Sequence, residues 1–302
     1  MQNMDEVLLR RLLDRPHAPS PGDSSFLSSL SEHNRAIEVA VIYHHRMAFY
    51  YWLCWTTNDW SCSLRSDQLA PDLVTVDWHD DVGGEPDCVF DELHSLIARL
   101  EVENVDDHAS LRDAVQRRQM SENNVIAYSM LGLRSLNDGH IFPAQYLNAI
   151  GNVYVLYKQR EKHSCRMTDQ YGNQHEIHYV RTVRDLLKHL KKAESRPTYF
   201  DLDVDYFFRE GRGKVRGAEV MIAEEEIRSL LDLDGDFMAH LGARPMRGMT
   251  IALEPTYCGG LIGCFKALSV ICETLFEGSL LGDKVDWKDP RKSHKKPKTN
   301  QT

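Results

Sequence analysis

Two apolar runs that lead directly into acidic segments constrain the fold of this chain more than any other feature. The run 73–76 leads into the acidic segment 77–81, and the run 197–200 leads into the acidic segment 201–205. Carboxylates at the end of a buried strand cost several kcal/mol in desolvation unless something pairs with them. A pair of divalent metal ions is the simplest partner for so many carboxylates, so a metal-dependent hydrolase is the leading hypothesis.

Predicted strands and predicted helices alternate along the chain. The strands are 37–43, 73–76, 198–204 and 249–253, and the helices include 183–192, 223–233 and the segment from Gly260 to Phe276. This alternation predicts an α/β fold with a mostly parallel sheet that helices cover on both faces. In such sheets sites form beyond the carboxyl ends of the strands, where both acidic segments and Glu254 fall.

The length of 302 residues accommodates one α/β domain of about 250 residues with tails. We expect a short helix at 4–15 and a loop at 16–34, which together form an N-terminal region at 1–34. A catalytic domain is expected at 35–283 and a basic, disordered tail at 284–302. The alternative for the tail is a docking segment for an acidic partner.

Composition limits the partners and the compartment. The net charge of -9 argues against a nucleic-acid partner. Seven cysteines without a CxxC pair fit a reducing compartment better than a disulfide framework. We expect no signal peptide, and the sequence contains no run of 18 apolar residues. We therefore expect a cytoplasmic protein with no nucleic-acid and no membrane partner, and its oligomeric state stays open.

The first acidic segment contains an alternating set of metal-ligand types. Asp77, His79 and Asp81 share one face in extended backbone, because side chains two residues apart point the same way. One imidazole and two carboxylates suit Mn²⁺, and also Fe²⁺ or Zn²⁺. The alternative is a polar, capped turn between a strand and a helix.

The second acidic segment carries three aspartates on one face, Asp201, Asp203 and Asp205. Three like charges at one place repel one another unless a cation binds them. We favour Asp203 and Asp205 as ligands, because the later pair reaches the end of the strand more easily. Asp201 is the alternative if the strand is shorter. A surface acidic patch is disfavoured by the aromatic residues on both sides.

A further ligand is expected from another strand end. The apolar run 39–43 leads directly into His44 and His45. A lone histidine is usually a core or surface group, but a histidine pair at the end of an apolar strand is better placed to bind metal. His44 is the first choice and His45 is the alternative.

These motifs resemble the metal motifs of the ureohydrolase superfamily, which includes arginase and agmatinase. A narrower resemblance is to the arginase-like peptide-modifying enzymes, the peptide arginases. It extends in the same order over residues 36–275 and rests on the segments Tyr43-His44-His45, Val76-Asp77-Trp78-His79-Asp80-Asp81, Asp203-Val204-Asp205-Tyr206-Phe207 and 251–260.

The resemblance implies a three-layer α/β/α arginase/deacetylase-like fold with two Mn²⁺ ions per chain. One ion would be held by His44, Asp77, Asp81 and one later aspartate. The other would be held by His79, Asp77 and the later aspartate pair. Arginases carry their first metal histidine in a Gly-Gly-Asp-His-type segment, whereas this chain has Ile-Tyr-His-His, so both His44 and His45 stay open. The Asp-Pro that follows the second motif in many ureohydrolases is also missing here.

The activity that we expect is that of a Mn²⁺-dependent amidinohydrolase. Two divalent ions can lower the pKa of a shared water towards neutrality, and the resulting hydroxide would attack a guanidinium carbon. Glu254 would hold the guanidinium as a bidentate partner, and His140 would carry a proton to the leaving amine. The resemblance implies arginine within a peptide as the substrate, with a leader peptide as an optional part, and ornithine and urea as products.

Two other functions are compatible with the sequence. A Zn²⁺-dependent deacetylase of the related fold would use a single ion, a His-His pair such as His44 and His45, and a tyrosine such as Tyr257. A catalytically inactive metal-binding module is the third hypothesis. The number of metal ions bound per chain separates the first two.

Overall fold

A computed structural model of the protein describes most of the expected catalytic domain. The described residues are 24–28, 36–59, 70–82, 139–146, 148–160, 162–169, 171–210, 219–277 and 286–288. The helix predicted at 4–15 and the tail from 289 to 302 lie outside these ranges.

The described elements are twelve strands and six helices. The strands are β1 (Ser24–Ser28), β2 (Ala36–Ile42), β3 (Asp72–Val76), β4 (Val153–Leu156), β5 (Cys165–Thr168), β6 (Gln174–Val180), β7 (Thr198–Asp203), β8 (Phe208–Glu210), β9 (Glu219–Met221), β10 (Met246–Ala252), β11 (Phe276–Glu277) and β12 (Asp286–Trp287). The helices are α1 (Ala48–Asp59), α2 (Ile141–Tyr146), α3 (Val183–Lys192), α4 (Glu224–Leu230), α5 (Asp236–Gly242) and α6 (Leu261–Leu275). Short 3-10 turns occupy His45–Met47 and Val204–Phe207.

Eight of the described strands form one sheet in the order β1-β2-β10-β7-β3-β4-β6-β5. The six inner strands run parallel to one another. The two edge strands, β1 and β5, pair antiparallel with their neighbours. The predicted α/β class with a mostly parallel sheet is therefore confirmed.

Alternate residues of the inner strands belong to two apolar clusters. Val74 and Phe200 lie in one cluster with residues from α3, α4, α5 and α6. Leu73 and Tyr199 lie in the other cluster with residues from α1 and α2. Because successive side chains of a strand point to opposite faces, each cluster covers one face of the sheet. This arrangement is compatible with three α/β/α layers. None of the helices in the described ranges has both the length and the apolar character needed to cross a membrane.

Two regions differ from the sequence-based expectations. The segment predicted as a loop at 16–34 contains β1, which pairs with the otherwise open edge of β2. The part of the predicted tail that the structure describes includes Trp287, which is buried and lies 4.9 Å from the ring of Phe276. The first region is rich in serine and the second in basic residues, so neither composition predicts a strand. Each strand forms only by pairing with another strand elsewhere in the chain.

Strand order brings the predicted site residues to one edge of the sheet. The neighbouring strands β2, β10, β7 and β3 end at the same edge. His45 follows β2, Glu254 follows β10, Asp203 ends β7 and Asp77 follows β3. The four segments are far apart along the chain, but parallel pairing places their carboxyl ends side by side.

Candidate metal centre

His45 lies at the centre of the acidic cluster. Its Nδ1 is 2.7 Å from the Oδ2 of Asp81 and 3.1 Å from the Oδ2 of Asp203. The same nitrogen is 3.4 Å from the Oδ2 of Asp77. All four side chains are buried, so one imidazole and three carboxylates meet beneath the protein surface.

His44, the first choice from the sequence, lies outside this cluster. Its side chain is 43% exposed, and its Nδ1 is 3.7 Å from the Oε2 of Glu254. The backbone is extended at His44 and then enters the 3-10 turn that begins at His45. This change of direction turns the second imidazole of the pair inward, so the alternative, His45, is the one of the two that lies among the carboxylates.

A second group of possible ligands adjoins the first. The Nδ1 of His79 lies 2.9 Å from the Oδ2 of Asp205 and 3.8 Å from the Oδ1 of Asp77. The backbone N–H of Trp78 donates to the Oδ1 of Asp205 at 3.0 Å. Asp77 therefore belongs to both groups, one oxygen facing His45 and the other facing His79.

Asp201 contacts the back of His45 and not the space between the ligands. Its Oδ2 is 2.7 Å from the Nε2 of His45 and also accepts from the hydroxyl of Thr75. Its Oδ1 accepts a short hydrogen bond from the hydroxyl of Thr250. The preference for Asp203 and Asp205 as ligands agrees with this geometry. The sequence did not lead us to expect the contacts of Thr75 and Thr250 with Asp201. The available signal was a single polar residue within each apolar strand.

His140 lies behind the first group and is fully buried. Its Nδ1 is 3.5 Å from the Oδ2 of Asp81, and its ring stacks on Trp52 with centroids 5.4 Å apart. Burial lowers its pKa well below the usual value, and the neighbouring His45 adds to this effect. His140 therefore sits where a neutral imidazole can act as a further ligand, and its role as proton shuttle stays a prediction.

Glu254 faces the cluster from the end of β10. The backbone N–H of His45 donates to its Oε1 at 2.6 Å. Glu254 has a φ of 40° and Asp81 a φ of 45°, so two of the three non-glycine residues with positive φ in the described ranges belong to this site. Such conformations are sparsely populated and cluster at functional sites, where the surrounding structure holds them in place.

A cavity of about 310 Å³ opens over these side chains. Its lining residues are His44, His45, His79, Asp81, Asp203, Asp205, Glu254, Thr256 and Tyr257. Four of these nine residues are carboxylic acids and none is a lysine or an arginine. The cavity is therefore suited to a cationic ligand.

Burial disturbs the titration of the clustered acids. It raises the pKa of Asp81 to about 7 and that of Asp205 to about 6, and the charge of Asp77 adds to both shifts. Burial also raises the pKa of Asp203 well above its usual value. Burial by itself would lower the pKa of His45, but the carboxylates of Asp201 and Asp203 outweigh it and raise that pKa. In the absence of other cations, protons must neutralise the cluster.

The donor atoms fit a bound metal. Among the described residues, the Nδ1 of His45 and the Oδ2 of Asp77 are buried without a hydrogen bond of acceptable geometry. Unsatisfied buried polar atoms are rare in native proteins and need an explanation. Three groups each have ligand atoms within 4.8 Å of one another: His45 with Asp77 and Asp203, His45 with Asp81 and His140, and Asp77 with His79 and Asp205. These buried groups could hold a metal ion, and an ion between them would satisfy both orphaned atoms.

No protein-family model matches this chain, and a search of curated proteins finds no significant match.

Proposed function

We propose that the protein is a Mn²⁺-dependent amidinohydrolase that converts arginine within a peptide to ornithine and urea. The observation that carries this proposal is the position of Asp77 between two groups of ligands beneath one acidic cavity. A carboxylate shared by two such groups suits a pair of ions better than a single ion. The choice of a peptide over free arginine rests on the motif resemblance alone.

The two groups would hold one ion each. His45, Asp81 and Asp203 would bind the first ion, His79 and Asp205 the second, and Asp77 both. Imidazole nitrogens and carboxylate oxygens together are a ligand set that suits Mn²⁺. Bound divalent ions would lower the pKa of a shared water towards neutrality and so supply the hydrolytic nucleophile.

Glu254 would hold the guanidinium of the substrate. The N–H of His45 fixes its Oε1, and its side chain is only 14% exposed. A carboxylate pairs with a guanidinium through two parallel hydrogen bonds, which sets the orientation of the planar group as well as its affinity. Glu254 would therefore orient the guanidinium over the acidic floor of the cavity.

The leaving amine needs a proton, which a histidine at the cavity would deliver. His140 was predicted for this task, but it is fully buried and is absent from the cavity lining. His44 lines the cavity, and its ring lies next to Glu254. General-acid catalysis requires contact with the group that takes the proton, so the lining position favours His44.

The test combines metal content with urea release. Wild-type protein loaded with Mn²⁺ should hold about two ions per chain and release urea from an arginine-containing peptide. Glu254→Gln should keep the metal and lose most of the urea release, because the neutral amide cannot form the ion pair. Glu225→Gln, an exposed substitution on α4, is the matched control. If loaded wild-type protein releases no urea from any arginine peptide, free arginine or small guanidine, the proposal is wrong.

A Zn²⁺-dependent deacetylase is the second candidate, favoured by Tyr257. This tyrosine lines the same cavity, with its ring 5.4 Å from that of His79. Such an enzyme would need a single ion, which leaves the group of His79 and Asp205 without a purpose. One Zn²⁺ per chain together with acetate release from an acetyl-lysine peptide would favour this candidate.

A further inference from the structure

Three segments lie side by side at the site edge of the sheet. They are the β3 loop (77–82), the β4 loop (157–160) and the β7 turn (Val204–Phe207). The sheet order β7-β3-β4 places the β3 loop between the other two. The β3 loop and the β7 turn carry ligand residues of the proposed centre, and the β4 loop carries Lys158.

The side chain of Lys158 reaches across the β3 loop to the β7 turn. Neighbouring strands are about 4.8 Å apart, so contact across two of them needs one of the longest side chains. The Nζ of Lys158 lies 5.3 Å from the centre of the Trp78 ring and 4.0 Å from that of Tyr206. It donates a short hydrogen bond to the backbone carbonyl of Tyr206.

The backbone extends the same connection. The N–H of Lys158 donates to the carbonyl of Trp78 at 3.3 Å. The N–H of Trp78 donates in turn to the Oδ1 of Asp205 at 3.0 Å. Asp205 is therefore held from one side by the β3 loop, while Lys158 holds the carbonyl of the next residue in its turn.

The charge of Lys158 does not by itself help a metal centre. Burial lowers the pKa of its ammonium, and the carboxylate of Asp205 partly offsets this shift. A cation beside a cation-binding site weakens metal binding by Coulomb repulsion. Any favourable effect of this lysine on the centre must therefore come from its contacts. Loss of the charge would raise the affinity for metal and loss of the contacts would lower it, so the sign of the change shows which effect is larger.

We propose that Lys158 is a positioning residue, which clamps the β7 turn so that Asp205 is held in place for the second metal ion. The inference rests on the proposed two-metal centre. The ligands of the first ion depend less on this clamp, because His45 and Asp81 lie outside the β7 turn and Asp203 precedes it. Loss of the clamp should therefore affect one ion and spare the other.

The test is calorimetric titration of metal-free protein with Mn²⁺, together with the metal content that remains after dialysis. Lys158→Met keeps a long apolar side chain over the aromatic rings but removes the donor and the charge. We expect the affinity for the second ion to fall about 10- to 100-fold, as for other residues that orient metal ligands, and that for the first to stay unchanged. Lys158→Arg keeps a donor and a cation, so it should recover most of the loss.

Two further variants complete the experiment. Lys188→Met makes the same change on the exposed face of α3 and should alter neither affinity. Thermal unfolding will show whether Lys158→Met folds. If it does not, Lys158→Gln, whose side chain is too short to reach Tyr206, takes its place and should show the same fall in affinity for the second ion. An unchanged or increased affinity for the second ion in folded Lys158→Met or Lys158→Gln would overturn the clamp alone. Fewer than two ions in the wild type would overturn the proposed centre, and the clamp with it.

Discussion

The three aspartates of the second acidic segment differ in what their side chains contact. Asp203 and Asp205 face possible ligands, whereas Asp201 lies between two threonines. Strand pairing explains this position, because Thr75 and Thr250 are directly opposite Asp201 on the two neighbouring strands. A carboxylate held from both sides can fix the ring of His45, which is how carboxylates orient histidine ligands in metal sites.

Replacement of Asp201 by asparagine tests this role. Asp201→Asn keeps the size of the side chain but replaces the charged carboxylate that contacts His45 with a neutral amide. We expect the affinity for the first metal ion to fall about 10- to 100-fold, measured by titration of metal-free protein with Mn²⁺. The exposed pair of Asp185 with Lys188 supplies the control, since Asp185→Asn should not change metal binding. Unaltered affinity in Asp201→Asn would mean that His45 is oriented by other contacts.

At the scale of elements, the turn from β10 into α6 controls the position of Glu254. The first turn of α6 lies close to this segment: a Cβ added to Gly263 would be 1.9 Å from the backbone carbonyl of Cys258. Backbone cannot move aside as a flexible side chain can. Only glycine therefore lets the helix pack at this distance from the turn that carries Glu254.

Gly263→Ala should displace the turn and disturb both folding and activity. Overpacking of this kind costs about 1–3 kcal/mol, measurable by chemical denaturation followed by circular dichroism. The proposed release of urea should fall as well, because Glu254 lies on the displaced segment. Lys266→Ala, an exposed change on the same helix, is the control. If Gly263→Ala matches the wild type in both measurements, the packing of α6 on the turn does not set the position of Glu254.

A buried arginine joins the amino ends of two parallel strands, at the end of the sheet opposite the site. Arg244 donates to Asp72 at 3.1 Å and to the hydroxyl of Thr198 at 3.0 Å, at the starts of β3 and β7. It also donates to the carbonyls of Leu190 and Glu194. Burial raises the pKa of Asp72 to about 6, although Arg244 opposes the shift. One guanidinium thus joins the ends of two parallel strands.

Arg244→Met should leave the charge of Asp72 buried and unpaired. Removal of one partner of a buried ion pair costs about 3–5 kcal/mol in free energy of unfolding. The loss should be larger at pH 8 than at pH 5, because protonation of Asp72 below its raised pKa relieves the unpaired charge. Arg228→Met removes exposed pairs with Glu224 and Glu273 and should cost less than about 1 kcal/mol. Equal losses in the two variants, measured by chemical denaturation, would contradict this account.

At the scale of the whole molecule, the site concentrates buried carboxylates at one end of a sheet that is otherwise packed with apolar side chains. Metal ions that bind only the folded protein stabilise it by about 2.7 kcal/mol when their free concentration is 100 times the dissociation constant. The overall stability of the protein should therefore depend on the occupancy of the proposed metal centre.

Removal of metal by a chelator should lower the melting temperature in a pH-dependent way. The pKa of Asp81, raised to about 7, and that of Asp205, raised to about 6, lie above their unfolded values. Protons thus compete with metal below pH 7, and the metal-free protein loses stability as pH rises through this window. The difference in melting temperature between loaded and chelator-treated protein should widen from about pH 5.5 to 7.5. A difference that narrows over this range in calorimetric scans would contradict the proposed ligands.

Much of the fold was predictable, because periodicity and residue type act locally. The boundaries predicted for α3 at 183–192 agree with the structure, and the predicted strands match β2, β3, β7 and β10 within a few residues. The short strands β8 and β9 and the helix α5 were not predicted. Such short elements carry too few residues for a periodic signal, and neighbouring chain segments stabilise them.

The sequence by itself determined which residue types meet at the site, because aspartates and histidines that follow apolar strands must lie at the carboxyl edge of a parallel sheet. Only the tertiary structure shows that the ring of His45, and not that of His44, lies among the carboxylates, since this depends on where the backbone turns after β2. It also decided that Asp201 supports His45 and that Lys158 crosses the β3 loop. These roles follow from the lateral order of the strands, and chain order contains little information about which strands become neighbours.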